Sequence, residues 1–196
     1  MAFRLIFFSA TLLATVALAN AQSNLVQNPN ADLQSQFWRV YGQASVESCA
    51  TDNPCFVLRN GGYFIQDVNI SSDAVGRYAL LVARASTERV LADSGSITGL
   101  PSLYGYMMDA GEPRGGRVLA YLQGQNMSPM NVPKNEWVML WGIFQVPDGT
   151  GRIRVFLNQA LANGTRHNGS ATRFDDVGVY LFPTKQEAQS FVTTVR

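Results

Sequence analysis

The stretch Trp137-Val138-Met139-Leu140-Trp141-Gly142-Ile143-Phe144-Gln145-Val146-Pro147-Asp148-Gly149-Thr150-Gly151-Arg152-Ile153-Arg154-Val155-Phe156-Leu157-Asn158-Gln159 decides the fold class. Its apolar residues do not recur at helical spacing. Ile153, Val155 and Leu157 alternate with Arg152, Arg154 and Asn158, the pattern of a strand with one buried and one wet face. Between 137 and 146 both alternating sets are apolar, which predicts a central strand covered on both sides. Pro147-Asp148-Gly149 between the two runs is turn chemistry, so the pair reads as consecutive antiparallel strands.

The same grammar extends outward. Further short β-rich runs occupy 37–46, 55–58, 62–68, 77–85, 103–108, 117–123 and 173–182, nine strands in all with the two above. The breaks carry Asn60-Gly61-Gly62, Pro113 with Gly115-Gly116, and Asn163-Gly164. No amphipathic helix falls between them, which predicts an all-β antiparallel sandwich or jelly roll. Thr184-x-x-Glu187 is a capping-box pattern and predicts a short C-terminal helix. No repeat, linker or low-complexity tract divides the chain.

The first residues read differently. Arg4 precedes an apolar run from Leu5 to Leu18 and then Ala19-Asn20-Ala21, a small-x-small cleavage pattern. Residues 1–21 are therefore expected to be a signal peptide, and residues 22–196 a single domain with a substantial core. The run is shorter than the roughly 18 apolar residues that a membrane-spanning helix needs. Removing Arg4 lowers the 15 basic residues by one, to match the 14 acidic ones. That balance excludes a strongly basic nucleic-acid binder and a polybasic membrane anchor. The expected product is secreted and extracellular, or periplasmic in a Gram-negative host.

Cys49 and Cys55, in Cys-Ala-Thr-Asp-Asn-Pro-Cys, are the only two cysteines. Such a pair in an exported chain predicts a local disulfide, while two thiols and one distant histidine make no zinc set. Four Asn-x-Ser/Thr sequons, at Asn69, Asn126, Asn163 and Asn168, would accept glycans in a eukaryotic host.

Enzyme signatures are scarce. The single histidine, His167, lies among turn formers and reads as a solvated loop residue. Asp175 and Asp176 are adjacent, so in a regular strand they point to opposite faces and cannot flank one glycosidic bond. A carboxylate at such an edge, joined to one from the other terminus, is instead an oxygen-ligand set suited to calcium. Tyr104 and Tyr106 share a strand face, and Tyr121, Gln123 and Gln125 alternate onto one face of the next strand. Arg84 and Asn158 lie on the wetter sides of their own strands and are candidates to join them. Flat rings beside amides and a guanidinium suit the apolar faces and hydroxyls of a sugar. Trp38, Trp137 and Trp141 read as core.

In order along the chain, Asn24-Leu25-Val26-Gln27-Asn28-Pro29-Asn30-Ala31-Asp32 with Trp38, then Gly76-Arg77-Tyr78-Ala79-Leu80, then Gly142 to Thr150, then Ile153 to Leu157 and Phe174-Asp175-Asp176-Val177-Gly178-Val179 form a series. This series resembles the secreted carbohydrate-binding modules with the galactose-binding-like jelly roll. The resemblance implies a non-catalytic, lectin-like domain whose partner is a carbohydrate or glycoconjugate. It also implies a structural calcium held by Asp32 with Asp175 or Asp176. Two other readings stay open on the residues alone. One is a structural or protein-interaction jelly roll without a sugar site; the other is a hydrolase acting on polysaccharide through carboxylates of distant strands.

Overall fold

The computed structural model describes residues 22–49, 53–88, 98–111, 116–160 and 169–194. The expected signal peptide, His167, Asn163 and Asn168 lie outside the described residues. Eight strands follow in order: β1 (Arg39–Ser48), β2 (Pro54–Asn69), β3 (Tyr78–Thr87), β4 (Pro101–Asp109), β5 (Val118–Leu122), β6 (Val138–Gln145), β7 (Thr150–Gln159) and β8 (Thr172–Phe182). The helix α1 (Lys185–Thr194) closes the chain.

All strand pairs are antiparallel, and the hydrogen-bonded order is β5-β4-β7-β2-β8-β3-β6, with β1 alongside β2. One long strand makes this a sandwich. The first part of β2 pairs with β8 (Phe56 opposite Phe174), and its last part pairs with β7 (Phe64 opposite Leu157). β2 thereby belongs to both layers, and the expected break at Asn60-Gly61-Gly62 is a bend within one strand rather than a gap between two. Asn60 and Gly61 both have positive φ (48° and 77°), and an alanine Cβ at Gly62 would sit 2.5 Å from the carbonyl of Gln43 on β1. Glycine is what lets the two strands stay paired through the bend.

The core fills the space between the layers. Ile153, Val155 and Leu157 face it from β7, Leu103 and Met107 from β4, and Ala79, Leu81, Ala83 and Ala85 from β3. Trp38, Phe56 and Phe64 form an aromatic cluster within it, with ring centroids 5.0–6.4 Å apart. Where β2 leaves β8 for the other layer, the N-terminal segment takes its place. Leu25 donates its N–H to the Val179 carbonyl at 2.9 Å, and Val177 donates to the Pro29 carbonyl at 3.1 Å.

The strand β6 corrects one expectation. It is the end strand of its layer, not a central one. Its second apolar face arises because α1 lies across that side. Ala188 and Val192 pack there with Leu80, Val82 and Phe182, and Met139, Trp141, Ile143 and Phe191 lie around them. The capping box forms as expected, with Glu187 accepting from the Thr184 N–H at 3.1 Å and donating its own N–H to the Thr184 Oγ1 at 3.2 Å. Of the three tryptophans, only Trp38 is buried; Trp137 and Trp141 are half-buried at the edges. Cys49 and Cys55 are joined in a disulfide, with Cα atoms 5.9 Å apart.

Candidate functional site

The layer β5-β4-β7 with the end of β2 carries a ring-lined outer face, and strand register explains it. Since Leu103, Gly105 and Met107 of β4 face inward or lie beneath it, Tyr104 and Tyr106 face out. Tyr121 of β5 is directly opposite Tyr106, and Phe156 of β7 is directly opposite Tyr104. The rings meet. Tyr104 stacks on Phe156 at 4.5 Å with an 8° interplanar angle, and Tyr106 stands edge-on to Tyr121 at 5.3 Å and to Phe156 at 5.1 Å. Tyr41 of β1 stacks on Tyr63 of β2 at 4.7 Å, and Tyr63 is opposite Asn158.

Exposure grades across this platform. Phe156 is buried at 8% exposed, Tyr104 and Tyr106 are half-buried, and Tyr121 is 65% exposed. The Tyr104 hydroxyl is pushed up to about 12, chiefly by burial and then by Tyr106 and Tyr63, so it stays a neutral donor. Gly105 lets β4 and β7 approach closely, since a Cβ there would lie 2.5 Å from the Arg154 carbonyl oxygen.

Charged groups stand among the rings. Arg154 is opposite Tyr106 on one side and Asp67 on the other. It clasps Asp67 with Nε at 2.6 Å and Nη2 at 3.0 Å, and Arg39 adds Nη2 at 3.0 Å. The hydrogen bond from Arg154 to Asp67 raises the Arg154 pKa further, so this guanidinium keeps its charge.

The expected site residues divide into three groups. Tyr104, Tyr106, Tyr121 and Asn158 share this face. Gln123 follows the end of β5 and lines a cleft of about 290 Å³ with Trp141, Asn126 and Gln189; Gln125 begins a 3-10 turn (Gln125–Met127), and its side chain lies outside the described residues. Arg84 does not join them. It lies on the outer side of the other layer, 3.3 Å from the Asp176 carboxylate and with its Cζ 5.4 Å from the centroid of Trp137. A wet strand side was legible for Arg84, but the layer to which β3 belongs was not. Phe156, Arg154, Asp67, Arg39, Tyr63 and Tyr41 went unmarked, although a phenylalanine inside the polar set of 152–158 was a signal.

Asp175 and Asp176 sit at a β-bulge, and Asp32 is near enough for its charge to act on Asp175. β3 and β8 slip register between Val82 and Arg84, and Asp176 has φ 49° there. The Asp175 carboxyl is pushed up to about 6, chiefly by burial, with the negative charges of Asp176 and Asp32 adding to it. Negative charge thus gathers around Asp175. On the other side, Asp176 is engaged by Arg84, and among the described residues no three His, Cys, Asp or Glu side chains converge to hold a metal ion. Side chains alone do not complete a calcium shell here.

No protein-family model and no curated protein matches the chain by sequence. Solved structures match by shape. The CBM22-1 xylan-binding domain from Paenibacillus barcinonensis Xyn10C superposes with a TM-score of 0.51 at 14% identity, covering 85% of this chain and 99% of that one. The chain has the jelly-roll fold of carbohydrate-binding modules. The C-terminal family 22 carbohydrate binding module of Clostridium thermocellum Xyn10B agrees, with a TM-score of 0.52 at 13% identity over 84% of this chain and 98% of that one. The enzymatically active domain of bacteriophage CBA120 tailspike protein 4 gives 0.57 at 16% identity over 81% of this chain. This chain spans 21% of that tailspike chain, so the likeness concerns one part of it. At these identities the comparisons establish the fold and leave function to the site.

Proposed function

We propose that this chain is a secreted, non-catalytic carbohydrate-binding domain whose ligand lies across Tyr121, Tyr106, Tyr104 and Phe156. The observation that carries the reading is the continuous array of rings on one sheet face, whereas α1 covers part of the opposite layer. An exposed aromatic patch of this kind is uncommon on a surface without a partner. From β5 to β1 the face is four strand spacings wide, about 19 Å, the reach of a short oligosaccharide. Rings take the apolar faces of sugars, and Arg154, Asp67, Asn158 and the tyrosine hydroxyls supply hydrogen bonds to their edges.

Calcium belongs to the proposal as a ligand of Asp175, supported by the negative charge gathered from Asp32 and Asp176. Export is supported by the cleavage pattern and the disulfide, and no helix of the described residues is long and apolar enough to cross a membrane. A glycan array probed with the purified domain, with and without calcium, tests the binding reading. Binding of one related group of glycans is expected. A blank array in both conditions would favour a protein-interaction domain instead. Intact mass of protein from culture medium tests export, with a chain beginning at Gln22 as the expected product.

A further inference from the structure

The ring face is not electrically neutral. Arg154 holds Asp67 in a two-pronged grip, and Arg39 bonds the same Oδ2, so two guanidiniums share one carboxylate. Register places these groups inside the platform. Tyr121, Tyr106, Arg154 and Asp67 make one row across the strands, and Tyr104, Phe156, Ile65 and Arg39 make the next. The third row, Ser102, Asn158, Tyr63 and Tyr41, adds no charge. The three rows therefore carry one positive charge in excess.

The two arginines stand differently. Arg154 is 15% exposed and pinned at both prongs, whereas Arg39 is 41% exposed and spends one donor on Asp67. A guanidinium has five N–H donors in a planar fork, so the Arg39 edge keeps donors for a ligand. A neutral sugar leaves the excess charge without a counter-charge once rings and ligand exclude water around it. A carboxylate supplies it, and planar carboxylate recognition is what this spot already achieves with Asp67.

Resting on the carbohydrate-binding reading above, we propose that the face selects glycans bearing uronic acid carboxylates, with Arg39 receiving the carboxylate and Asp67 positioning Arg154 beside it. Selection follows from charge and geometry together. The attraction acts at a partly dry surface, so it weakens with salt without vanishing.

The experiment is calorimetric titration with a short oligouronate and with the same oligosaccharide after its carboxyls are reduced to alcohols. Wild type should bind the acidic form about tenfold more tightly at low salt, and the ratio should shrink as salt rises. Arg39→Gln should bring the acidic form to the affinity of the neutral one, while Arg39→Lys keeps part of the preference. Melting curves of both variants should stay close to wild type, because Arg39 is 41% exposed and Asp67 keeps both of its bonds from Arg154. Equal affinity for the two forms in wild type, or a preference that survives Arg39→Gln, overturns the inference. A preference for a sulfated glycan over the uronate also overturns it. These outcomes leave the carbohydrate-binding reading standing; that reading falls only if acidic and neutral glycans alike fail to bind.

Discussion

The side-chain amide of Gln66 bonds in both directions to the backbone of Gln27. Its Nε2 donates to the Gln27 carbonyl at 2.8 Å, and its Oε1 accepts the Gln27 N–H at 2.8 Å. Gln66 is 3% exposed and points the same way as Phe64 and Val68 of β2, into the gap that opens where β2 passes between layers. A glutamine on an inward-facing position would be costly alone, but here it substitutes for a missing strand. It gives the N-terminal segment on one side what β8 gives it on the other. Replacing it by leucine keeps the volume and orphans both backbone groups of Gln27. Each of the two lost partners in a partly buried place costs about 1–3 kcal/mol, so Gln66→Leu should lower stability by about 2–6 kcal/mol. Urea unfolding measures it. A loss below about 0.5 kcal/mol would mean that water satisfies Gln27 and that the segment is not held through Gln66.

Gly62 makes the second test, because it sits where β2 changes layer. A methyl group there meets backbone atoms of Gln43 and Ala44 at 2.5–2.8 Å, and backbone cannot move aside as a flexible side chain does. Gly62→Ala should destabilise by roughly 1–3 kcal/mol, the range for overpacking. Gly76→Ala is a useful contrast. Its Cβ would meet nothing, yet its φ of 78° is unfavourable for alanine, so its loss isolates backbone strain from crowding. Equal stability of Gly62→Ala and wild type would show that the bend relaxes at no cost.

How much of this could be read beforehand depends on whether a feature is local. The alternation in β7, the capping box at Thr184 and the facing pair Tyr104 and Tyr106 are properties of a few consecutive residues, and they were legible. Layer membership is not local. Arg84 and Tyr104 both sit on wet sides of strands, yet they lie on opposite outer faces because β3 pairs with β8 while β4 pairs with β7. The apolar outer side of β6 looked like sheet burial but is covered by α1, a helix that begins forty residues after Gln145. The bulge at Asp176 also escaped the simple alternation rule. It keeps Phe174 and Val177 on the same inner face, three positions apart rather than two.

That bulge yields a pH prediction for calcium-free protein. The Asp175 carboxyl is pushed up to about 6 by burial, with Asp176 and Asp32 adding to it. Between its unfolded value near 3.8 and about 6 the folded state keeps a proton that the unfolded chain has lost. Stability from this group therefore falls as pH rises through that window and stays lower above it. Asp175 is only half-buried, so screening reduces the effect to about 1 kcal/mol. Asp175→Asn should remove this term and gain most over wild type at neutral pH in chelator. If calcium binds here, adding it should restore wild type at neutral pH and do little to the variant. The check is the urea midpoint of both proteins at pH 4.5 and 7.5, with chelator and with calcium. A variant that tracks wild type in all four conditions would show that Asp175 neither titrates as described nor holds the ion.

The ring face supplies the last prediction, and its exposure gradient sets the expectations. Tyr121 is 65% exposed and touches Tyr106 edge-on, so Tyr121→Ala removes little native packing and should cost less than about 1 kcal/mol. Phe156 stacks on Tyr104 at 8% exposed, and its truncation should cost about 3 kcal/mol while also removing the ring against which Tyr104 packs. Trp38, 5% exposed and enclosed by Phe56 and Phe64, is the core control and should lose about 3–5 kcal/mol. Ligand affinity should follow a different order from stability. Tyr121→Ala should weaken binding of the best glycan about tenfold, since a stacked ring contributes roughly 1–1.5 kcal/mol beyond its area. Asn158→Ala should weaken binding by leaving a sugar hydroxyl without its partner, at about 1–3 kcal/mol, with little change in melting. Thermal melts of each variant, measured beside titrations with the same glycan, separate the two effects. If Tyr121→Ala melts as early as Trp38→Ala, the rings exist for packing. If it melts normally and binds normally, the ligand lies elsewhere, and the cleft of Gln123 and Trp141 becomes the next place to look.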